Sequence, residues 1–414
     1  MTKGMTEAYR VVVTRSVNAP TLTRYDFAMR VLLGHTYYRQ PGGEDRVFED
    51  EAALLERRGH EVVRYTRHND ELEDLGAAGL ARATHWNPQT FKEVSSLIQK
   101  TQPNVAHFHN TFPLMSASVY DACGRARVPV AQTLHNYRLL CPAATLFRDG
   151  HICEDCLHLS VKLPAVRHSC YRDDWKASAA VTSMLAYHHF RDTWSKVGQF
   201  VAVSDFVRDK YIAGGMSPDH ITAKPNAVAD VAPGPGGDYA LFVGRLVPEK
   251  GVGTLLEAWA SLSQQLPLKI VGDGPLAGAA KEAAEHYQGV SYLGQKSKDE
   301  VTDLMQHATF LVFPSEWFEP FGLVIAEAFA AGTPVVAADS ESVKALVEEG
   351  VTGRFFEAGS SHSLVTVVRE VLGEPEKLQK MRGAARAAFE ARFSQDATYT
   401  RLLEIYERML SSNA

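Results

Sequence analysis

Long apolar runs are absent from this chain of 414 residues, and so is a strong charge of either sign. No run approaches the roughly 20 apolar residues that a membrane-spanning helix needs. The N-terminal region also lacks the continuous apolar core of a secretory signal. The formal net charge is −6, so no global attraction to nucleic acid is expected. The composition therefore predicts a soluble cytoplasmic protein with roughly two or three globular domains.

Cysteine is scarce, and four of the five cysteines fall in one irregular stretch. Cys153 and Cys156 have the two-residue spacing of thiolate metal sites, and Cys141 and Cys170 flank them. In a cytosolic protein such clustering indicates zinc before disulfide. The sequence therefore predicts a structural zinc site at these four cysteines, with a metal-free C-x-x-C pair as the alternative. Cys123 is interpreted as a buried apolar residue.

Short apolar runs alternate with helical patterns along most of the chain. In the first half, predicted strands lie at 30–35, 61–65, 105–110, 128–135 and 200–206. After the proline- and glycine-rich run PNAVADVAPGPGGDY, the alternation restarts at 240–245 and continues to 353–356. Such alternation indicates parallel sheets with helices on both faces. The expected fold is α/β, with two doubly wound Rossmann-like domains in series.

The predicted domain boundaries follow from these patterns. Residues 1–28 fit neither half, although their VVV run is a short strand candidate, so we expect a poorly ordered extension and a fold that begins near Met29. The expected domains are 29–228 with a cysteine-rich insertion at 141–172, then 229–395, then a C-terminal helix over 396–414 with apolar residues at helical spacing.

Two glutamates lie between the apolar runs FLVF and PVVAA of the second half. If Pro320 begins a helix, as proline often does, the rise along that helix separates Glu319 from Glu327 by roughly 12 Å. Carboxylates at that separation suit the hydroxyl groups of a nucleotide sugar.

A loop with two glycines and two cations follows the first strand of the second half, and it contains Gly244, Arg245, Lys250 and Gly251. Glycine lets the backbone approach a ligand closely, and Arg and Lys can neutralise a diphosphate. A second tight turn begins at Gly272, after the next strand, and ligands of open α/β sheets bind at such strand ends. The pattern predicts a site for a diphosphate and for hydroxyl groups. Solvated surface cations are the alternative.

These motifs resemble a known family. The runs VGRLVPEKGVGTLLEAW, IVGDGPL, YLGQ, FPSEWFEPFGLVIAEAFAAGTPVVA and GVTGRFF occur in the order found in the donor domain of retaining glycosyltransferases of family 4, which have the GT-B fold. The likeness extends less sharply to the first half through Gly42, Gly43, VAHFHN and TLHN. It implies two domains that face a central cleft, with the C-terminal helix crossing back onto the first domain.

The resemblance implies a role for each matching residue. Arg245 and Lys250 would bind the donor diphosphate and stabilise the charge that builds on the leaving phosphate. Glu319 would hold the transferred sugar, Glu327 would accept hydrogen bonds from the ribose, and His135 would reach the donor sugar. Arg245, Lys250, His135 and Glu319 are thus the predicted catalytic residues. Further donor contacts are expected at Gly42, Gly43, Gly244, Gly272, Phe321, Gly322 and Leu323.

Alternatives stay open in the first half of the chain. His109 is assigned to the acceptor side of the site, and His107 to structure. A lone histidine at a strand end, such as His135, is more often structural than functional, but the TLHN motif favours a functional role for it. Gly42 and Gly43 could equally form a turn before an acidic helix start. Basic and aromatic residues between 157 and 176, Lys162 among them, leave peripheral contact with the inner face of the cell membrane open.

The activity that the resemblance implies is retaining transfer of a hexose-type sugar from a UDP- or GDP-sugar to a hydroxyl group, without a catalytic metal. The acceptor would be a glycan, a lipid-linked molecule or a natural product, as in polysaccharide biosynthesis. A GT-B nucleotide-sugar epimerase and a non-catalytic sugar-nucleotide-binding scaffold are the alternatives. A nicotinamide dehydrogenase is disfavoured, because GHTYYRQPGGED lacks the G-x-G-x-x-G pattern. The sequence does not choose the donor, the acceptor or the oligomeric state.

Overall fold

The computed structural model describes residues 10–14, 28–40 and 42–412 of the chain. They form two compact units. The first unit comprises the described residues of Met1–Ala144, Glu154–Ala227 and Tyr399–Ala414, and the second unit comprises Thr145–Cys153 and Val228–Thr398. Among the described residues, no helix is both long enough and apolar enough to cross a membrane.

The strands of the described residues are, in chain order, β1 (Arg10–Thr14), β2 (Arg30–Tyr37), β3 (Glu61–His68), β4 (Val105–Phe108), β5 (Val130–Leu134), β6 (Phe147–Arg148), β7 (His151–Ile152), β8 (Gln199–Ala202), β9 (Ile221–Ala223), β10 (Ala240–Val243), β11 (Leu268–Val271), β12 (Val290–Gly294), β13 (Phe310–Phe313), β14 (Val335–Ala338) and β15 (Gly353–Phe356).

The α-helices are α1 (Gly43–Arg57), α2 (Ala77–His85), α3 (Pro88–Thr101), α4 (Ser118–Ala126), α5 (Leu163–Arg167), α6 (Trp175–Phe190), α7 (Asp205–Ala213), α8 (Val252–Leu262), α9 (Ala277–His286), α10 (Lys298–Gln306), α11 (Leu323–Ala330), α12 (Glu341–Lys344), α13 (Ser361–Gly373), α14 (Pro375–Ala388) and α15 (Gln395–Ser412).

Each unit has one main parallel sheet. The strand order is β1-β3-β2-β4-β5-β8-β9 in the first unit and β12-β11-β10-β13-β14-β15 in the second. The central strands are buried, as expected for strands that are covered on both faces. β13 and β14 are entirely apolar, whereas β4 and β5 also contain buried polar residues. The predicted α/β class with two doubly wound sheets is confirmed.

The sheet of the first unit begins earlier than Met29. Arg10–Thr14 forms β1, which pairs antiparallel with β3 at the edge of the sheet. The VVV run, which the sequence offered as a short strand candidate, is therefore a strand, and the sheet includes residues before Met29. Residues 1–9 and 15–27 of the predicted extension lie outside the described residues.

The last helix belongs to the first unit from Tyr399 onward. Leu402 and Tyr406 are fully or almost fully buried in one apolar cluster with Val31 of β2 and Phe48 of α1. Tyr399 and Tyr406 also hydrogen-bond, through their hydroxyl groups, to His60 and His107, at 2.7 Å in each case. The C-terminal helix thus packs on the first sheet, as the resemblance implied.

Candidate functional site

In the second unit, the loop after β10 ends at Gly251, which caps α8 with a φ of 68°. A Cβ atom at this position would lie 1.9 Å from the carbonyl oxygen of Pro314, so a larger residue would force the backbone to move. A single 3₁₀ turn, Pro248–Lys250, leads into this glycine. The close approach fixes Lys250 beside the loop that follows β13.

Lys250 and Glu319 form an ion pair through Nζ and Oε2. The side chains are 17% and 11% exposed, so the pair is largely shielded from water. Glu319 Oε2 also accepts hydrogen bonds from Ser315 Oγ at 3.2 Å and from Trp317 Nε1 at 3.0 Å. Two of the predicted catalytic residues are therefore brought together, with Trp317 orienting the carboxylate.

Arg245 lies in the same loop but in a wetter environment. Its side chain is 70% exposed, and its guanidinium lies 3.8 Å from Glu249. An exposed ion pair of this length contributes little to stability. Arg245 can therefore turn toward an anionic ligand at little energetic cost.

Gly272 and Gly244 bring the ends of β11 and β10 close together. Gly272 has a φ of 137°, and a Cβ there would lie 1.8 Å from the carbonyl oxygen of Gly244. The Gly244 N–H donates in turn to the carbonyl oxygen of Val271 at 3.0 Å. Both glycines thus have a structural role, and their contact with a donor stays a prediction.

The helix that carries Glu327 begins later than predicted. It is α11, and its N-cap is Gly322. A helix that began at Pro320 would have Glu319 as its N-cap. The Glu319 N–H donates to Ser342 Oγ at 3.1 Å, which holds the preceding segment in a loop. The prediction that Pro320 opens the helix is wrong. The separation of roughly 12 Å derived from helical rise therefore has no basis.

The remaining predicted donor residues surround the start of α11. Phe321 is buried and its ring lies 5.9 Å from that of Phe393, whereas Leu323 and Glu327 are half-buried. Gly322 comes directly before the helix. At this helix start the N–H of Leu323 donates to the carbonyl oxygen of Phe321 at 3.0 Å, and that of Ile325 donates to Gly322 at 2.9 Å. Contact of these residues with a donor stays a prediction.

In the first unit, His109 and His135 follow β4 and β5, at the carboxyl ends of neighbouring parallel strands. His109 Nδ1 lies 3.0 Å from His135 Nε2, and the two rings stack with centroids 5.1 Å apart. Both residues line a pocket within this unit, together with Tyr38, Asn110 and Arg138. The structure therefore joins the two histidines that the sequence assigned to separate roles.

A buried ion pair between Glu51 and Lys224 contacts His109. Glu51 Oε2 accepts a hydrogen bond from Lys224 Nζ at 2.7 Å, and Glu51 Oε1 lies 3.0 Å from His109 Nε2. Burial by itself raises the pKa of Glu51, but Lys224 and the imidazoles of His109 and His107 outweigh it and hold this pKa well below its usual value. Sequence reasoning missed Glu51 and Lys224.

Gly42 and Gly43 begin α1. The Gly42 N–H donates to Asp45 Oδ2 at 2.9 Å, and Glu44 and Asp45 place two acids in the first turn. The two glycines thus precede an acidic helix start, which was the alternative to donor contact in the sequence analysis. The donor-binding role of the two glycines stays a prediction.

None of the five cysteines, all of which lie in the described part of the chain, forms a disulfide bond in this structure. Burial raises the pKa of the Cys156 thiol to about 11, and Cys141 and Cys170 lie close enough to influence it. Cys123 is fully buried, as expected for an apolar role. Among the described residues, one group of three potential metal ligands has all its ligand atoms within 4.8 Å of one another, and it consists of Glu51, His107 and His109. The cysteines are not part of that group. The zinc site at the cysteines stays a prediction.

The basic segment between 157 and 176 is less available to a membrane than the sequence indicated. Lys162 is buried and donates its Nζ to the carbonyl oxygen of Cys156 at 2.9 Å. Lys162 therefore cannot contact an anionic surface, which corrects its grouping with the exposed basic residues. Trp175 and Lys176 are exposed, and membrane contact at that end stays a prediction.

Two family models match the chain in sequence. The model described as Glycosyltransferase Family 4 matches residues 41–230, and the model described as Glycosyl transferases group 1 matches residues 225–388. Together they match residues 41–388, which include parts of both units.

Curated relatives include an uncharacterized glycosyltransferase of Methanocaldococcus jannaschii, which is 32% identical over 42% of this chain and 49% of its own length. A phosphatidyl-myo-inositol mannosyltransferase of Mycobacterium leprae is 29% identical over 43% of this chain and 48% of its own. A D-inositol 3-phosphate glycosyltransferase of Segniliparus rotundus is 29% identical over 52% of this chain and 55% of its own length. The chain thus spans about half the length of the curated relatives it matches.

Solved structures match over nearly the whole chain. Anabaena HepE in complex with UDP-glucose has a TM-score of 0.64 at 19% identity, covering 92% of this chain and 100% of that one. A glycosyltransferase of Rickettsia africae has a TM-score of 0.67 at 16% identity, covering 92% and 99%. At these identities the likeness establishes the fold.

Proposed function

The chain belongs to the family 4-like glycosyltransferases with the GT-B fold, and we propose that it is a retaining hexosyltransferase. The proposed donor is a UDP- or GDP-sugar. The proposed acceptor is a hydroxyl group of a glycan, a lipid-linked molecule or a natural product. The observation that carries the proposal is the shielded pair of Lys250 and Glu319 at the carboxyl ends of β10 and β13.

The pair suits a ligand that has both a diphosphate and a sugar. In this structure the ammonium of Lys250 and the carboxylate of Glu319 neutralise each other. A diphosphate beside Lys250 would compete with Glu319 for the ammonium. The carboxylate could then accept hydrogen bonds from sugar hydroxyl groups, because an ionised carboxylate only accepts.

The same cations would serve the chemical step. Negative charge builds on the leaving phosphate as the glycosidic bond breaks, so cations fixed there stabilise the transition state more than the ground state. Lys250 is held in place by its neighbours, and the exposed Arg245 can approach from solvent. With this charge supplied by side chains, the proposed reaction uses no catalytic metal. Attack by the acceptor hydroxyl from the same face would retain the anomeric configuration.

A screen of donors tests this proposal. We expect isothermal calorimetry, without added metal, to detect saturable binding of either UDP or GDP and of its sugar conjugates. UDP comes first, because UDP and UDP-glucose are bound in structures of the Anabaena protein. Glu327→Gln should weaken binding of the nucleotide by about tenfold to a hundredfold, since it replaces a carboxylate that would accept hydrogen bonds from the ribose.

Glu376→Gln is the matched control, because Glu376 is an exposed carboxylate on α14 of the same unit. It should leave nucleotide binding unchanged. Equal effects of the two variants would contradict the role of Glu327. Product analysis with donor alone separates the epimerase, which would convert the sugar without any acceptor.

We also propose a structural zinc ion at Cys141, Cys153, Cys156 and Cys170. Four thiols within one irregular stretch match the donor set of structural zinc sites. The ion would stabilise the insertion and take no part in sugar transfer.

Elemental analysis tests the zinc proposal. We expect about one zinc ion per chain after purification under reducing conditions. Cys153→Ser should lose that ion and unfold at a lower temperature. Cys123→Ala, at the buried cysteine outside the cluster, should keep it. A wild-type protein without zinc would contradict the site.

A further inference from the structure

We propose that Glu51 and Lys224 hold His135 in a single neutral form, protonated on Nε2, so that His135 Nδ1 offers a hydrogen-bond acceptor to the ligand. The inference rests on the proposed function, because the family resemblance gives His135 contact with the donor sugar. It adds a chemical restriction: the ligand group that contacts this nitrogen is a hydroxyl donor and not a phosphate or carboxylate oxygen.

Glu51 is buried between an ammonium and two imidazoles. One oxygen, Oε2, faces Lys224 Nζ at 2.7 Å, and the other, Oε1, faces His109 Nε2 at 3.0 Å and His107 Nδ1 at 3.1 Å. The side chains of Glu51 and Lys224 are 5% and 4% exposed. A buried ammonium requires a charged partner, so Glu51 is ionised and can only accept hydrogen bonds.

The contact with Glu51 fixes the tautomer of His109. Because Glu51 Oε1 can only accept, His109 Nε2 must carry a hydrogen. Burial lowers the pKa of His109 to about 4, although Glu51 acts in the opposite direction, so the ring is neutral near pH 7. A neutral imidazole has one N–H, and His109 Nδ1 therefore carries a lone pair.

The lone pair on His109 Nδ1 in turn fixes the tautomer of His135. Its Nε2 lies 3.0 Å from His109 Nδ1, and two lone pairs would repel each other at that distance, so Nε2 carries the hydrogen. Burial, followed by His109 and His35, lowers the pKa of His135 well below its usual value. The ring is neutral, so Nδ1 carries a lone pair. Among the described residues, no hydrogen bond reaches this Nδ1.

The low basicity of His135 also limits its chemistry. A lone pair that binds protons this weakly accepts a hydrogen bond but makes a poor general base. It would repel an anionic oxygen and attract a hydroxyl group. His135 thus positions a sugar or acceptor hydroxyl, and Glu51 and Lys224 act on the ligand only through His109.

The cluster of Glu51, His107 and His109 also has the residue types of a metal site. The ammonium of Lys224 argues against that reading. It already neutralises Glu51 at 2.7 Å, and a divalent cation would lie close to it and be repelled. His107 is in addition bonded to Thr133 and Tyr406 through its two ring nitrogens, at 2.7 Å each.

Nitrogen NMR of protein labelled with ¹⁵N-histidine tests the inference without any substrate. In the wild-type protein at pH 7, we expect the His135 signals to show a hydrogen on Nε2 and none on Nδ1. The spectrum of His135→Asn supplies the assignment. A hydrogen on Nδ1, or on both nitrogens, would overturn the proposal. Because this measurement needs only the wild-type fold, it also decides the matter if the next variant does not fold.

Glu51→Gln should invert the chain of hydrogen bonds. The amide oxygen is expected to face Lys224, which can donate a hydrogen bond whether or not its amine keeps the charge, so the amide NH₂ faces His109 Nε2 and makes that nitrogen an acceptor. The hydrogen of His109 then moves to Nδ1, and that of His135 moves from Nε2 to Nδ1. We expect this shift in the spectrum. We also expect kcat/KM for transfer to fall at least about tenfold, with binding of the sugar-free nucleotide unchanged within about twofold.

Tyr406→Phe is the matched control. It removes a hydrogen bond to His107 in the same buried network but leaves the contacts among Glu51, His109 and His135 intact. We expect a loss of stability without a change in the His135 tautomer. A loss of transfer in Glu51→Gln with an unchanged tautomer would refute the inference. If no donor binds the wild type, the proposed function fails separately, and the spectrum still reports on His135.

Discussion

Lys250→Ala is expected to lower kcat by about 10²-fold to 10³-fold, which is the usual cost of removing one group that stabilises developing charge. Lys250 is the shielded cation at the proposed diphosphate site, whereas Arg245 is 70% exposed and less constrained. The fold should survive, because Glu319 keeps its contacts with Ser315 and Trp317. Steady-state kinetics with the donor found by calorimetry measures the effect.

Two further variants sharpen this result. Lys298→Ala, at an exposed lysine that begins α10, should leave kcat unchanged. Lys250→Arg keeps a cation and should retain more activity than the alanine variant. If Lys250→Ala keeps full activity, or if its circular dichroism shows an unfolded protein, the assigned role of Lys250 is wrong.

Glu51→Ala is expected to lower the free energy of unfolding by about 3 to 5 kcal/mol, because it leaves the ammonium of Lys224 buried without a partner. The two groups are nearly inaccessible, so water cannot replace the lost carboxylate. Urea denaturation measures the change. The double variant Glu51→Gln with Lys224→Met should recover part of the loss, since it removes the buried charge. A single variant as stable as wild type would contradict the buried pair.

The same network predicts an acid-side loss of stability. Burial lowers the pKa of folded His109 to about 4, against 6.5 for an unfolded histidine. Between these values the unfolded state binds more protons, so the free energy of unfolding falls as pH drops from 6.5 toward 4. Glu51 keeps its contribution down to its unfolded pKa of 4.5 and begins to lose it below that pH, because its folded pKa is held well below 4.5. His109→Gln should reduce the slope of this dependence.

The sequence predicted the strands at 30–35, 61–65, 105–110, 128–135 and 200–206, which correspond to β2, β3, β4, β5 and β8, because each lies within one short and mostly apolar segment. It also predicted the grouping of Lys250 with Glu319, since both lie in motifs that resemble the family. The predicted start of α11 was wrong, because a tertiary contact between Glu319 and Ser342 outweighs the preference of proline for the first turn of a helix. Such a contact leaves no trace in local sequence.

The buried network of the first unit could not be predicted from local patterns. Glu51 and Lys224 are 173 positions apart in sequence, and only the fold brings them together. One signal was present: Glu51 lies on the apolar stripe of α1, three residues after Phe48 and four before Leu55. A carboxylate on such a stripe must find a partner in the core. The identity of that partner is not contained in the pattern.

Nucleotide release from UDP- and GDP-sugars, followed with and without candidate acceptor hydroxyls, tests the central claim most directly. We predict that one nucleotide-sugar is consumed only when an acceptor is present, that the linkage keeps the anomeric configuration of the donor, and that Lys250→Ala nearly stops the reaction. A wild-type protein that binds none of the donors, or that converts a donor sugar without any acceptor, would contradict the assignment as a retaining transferase.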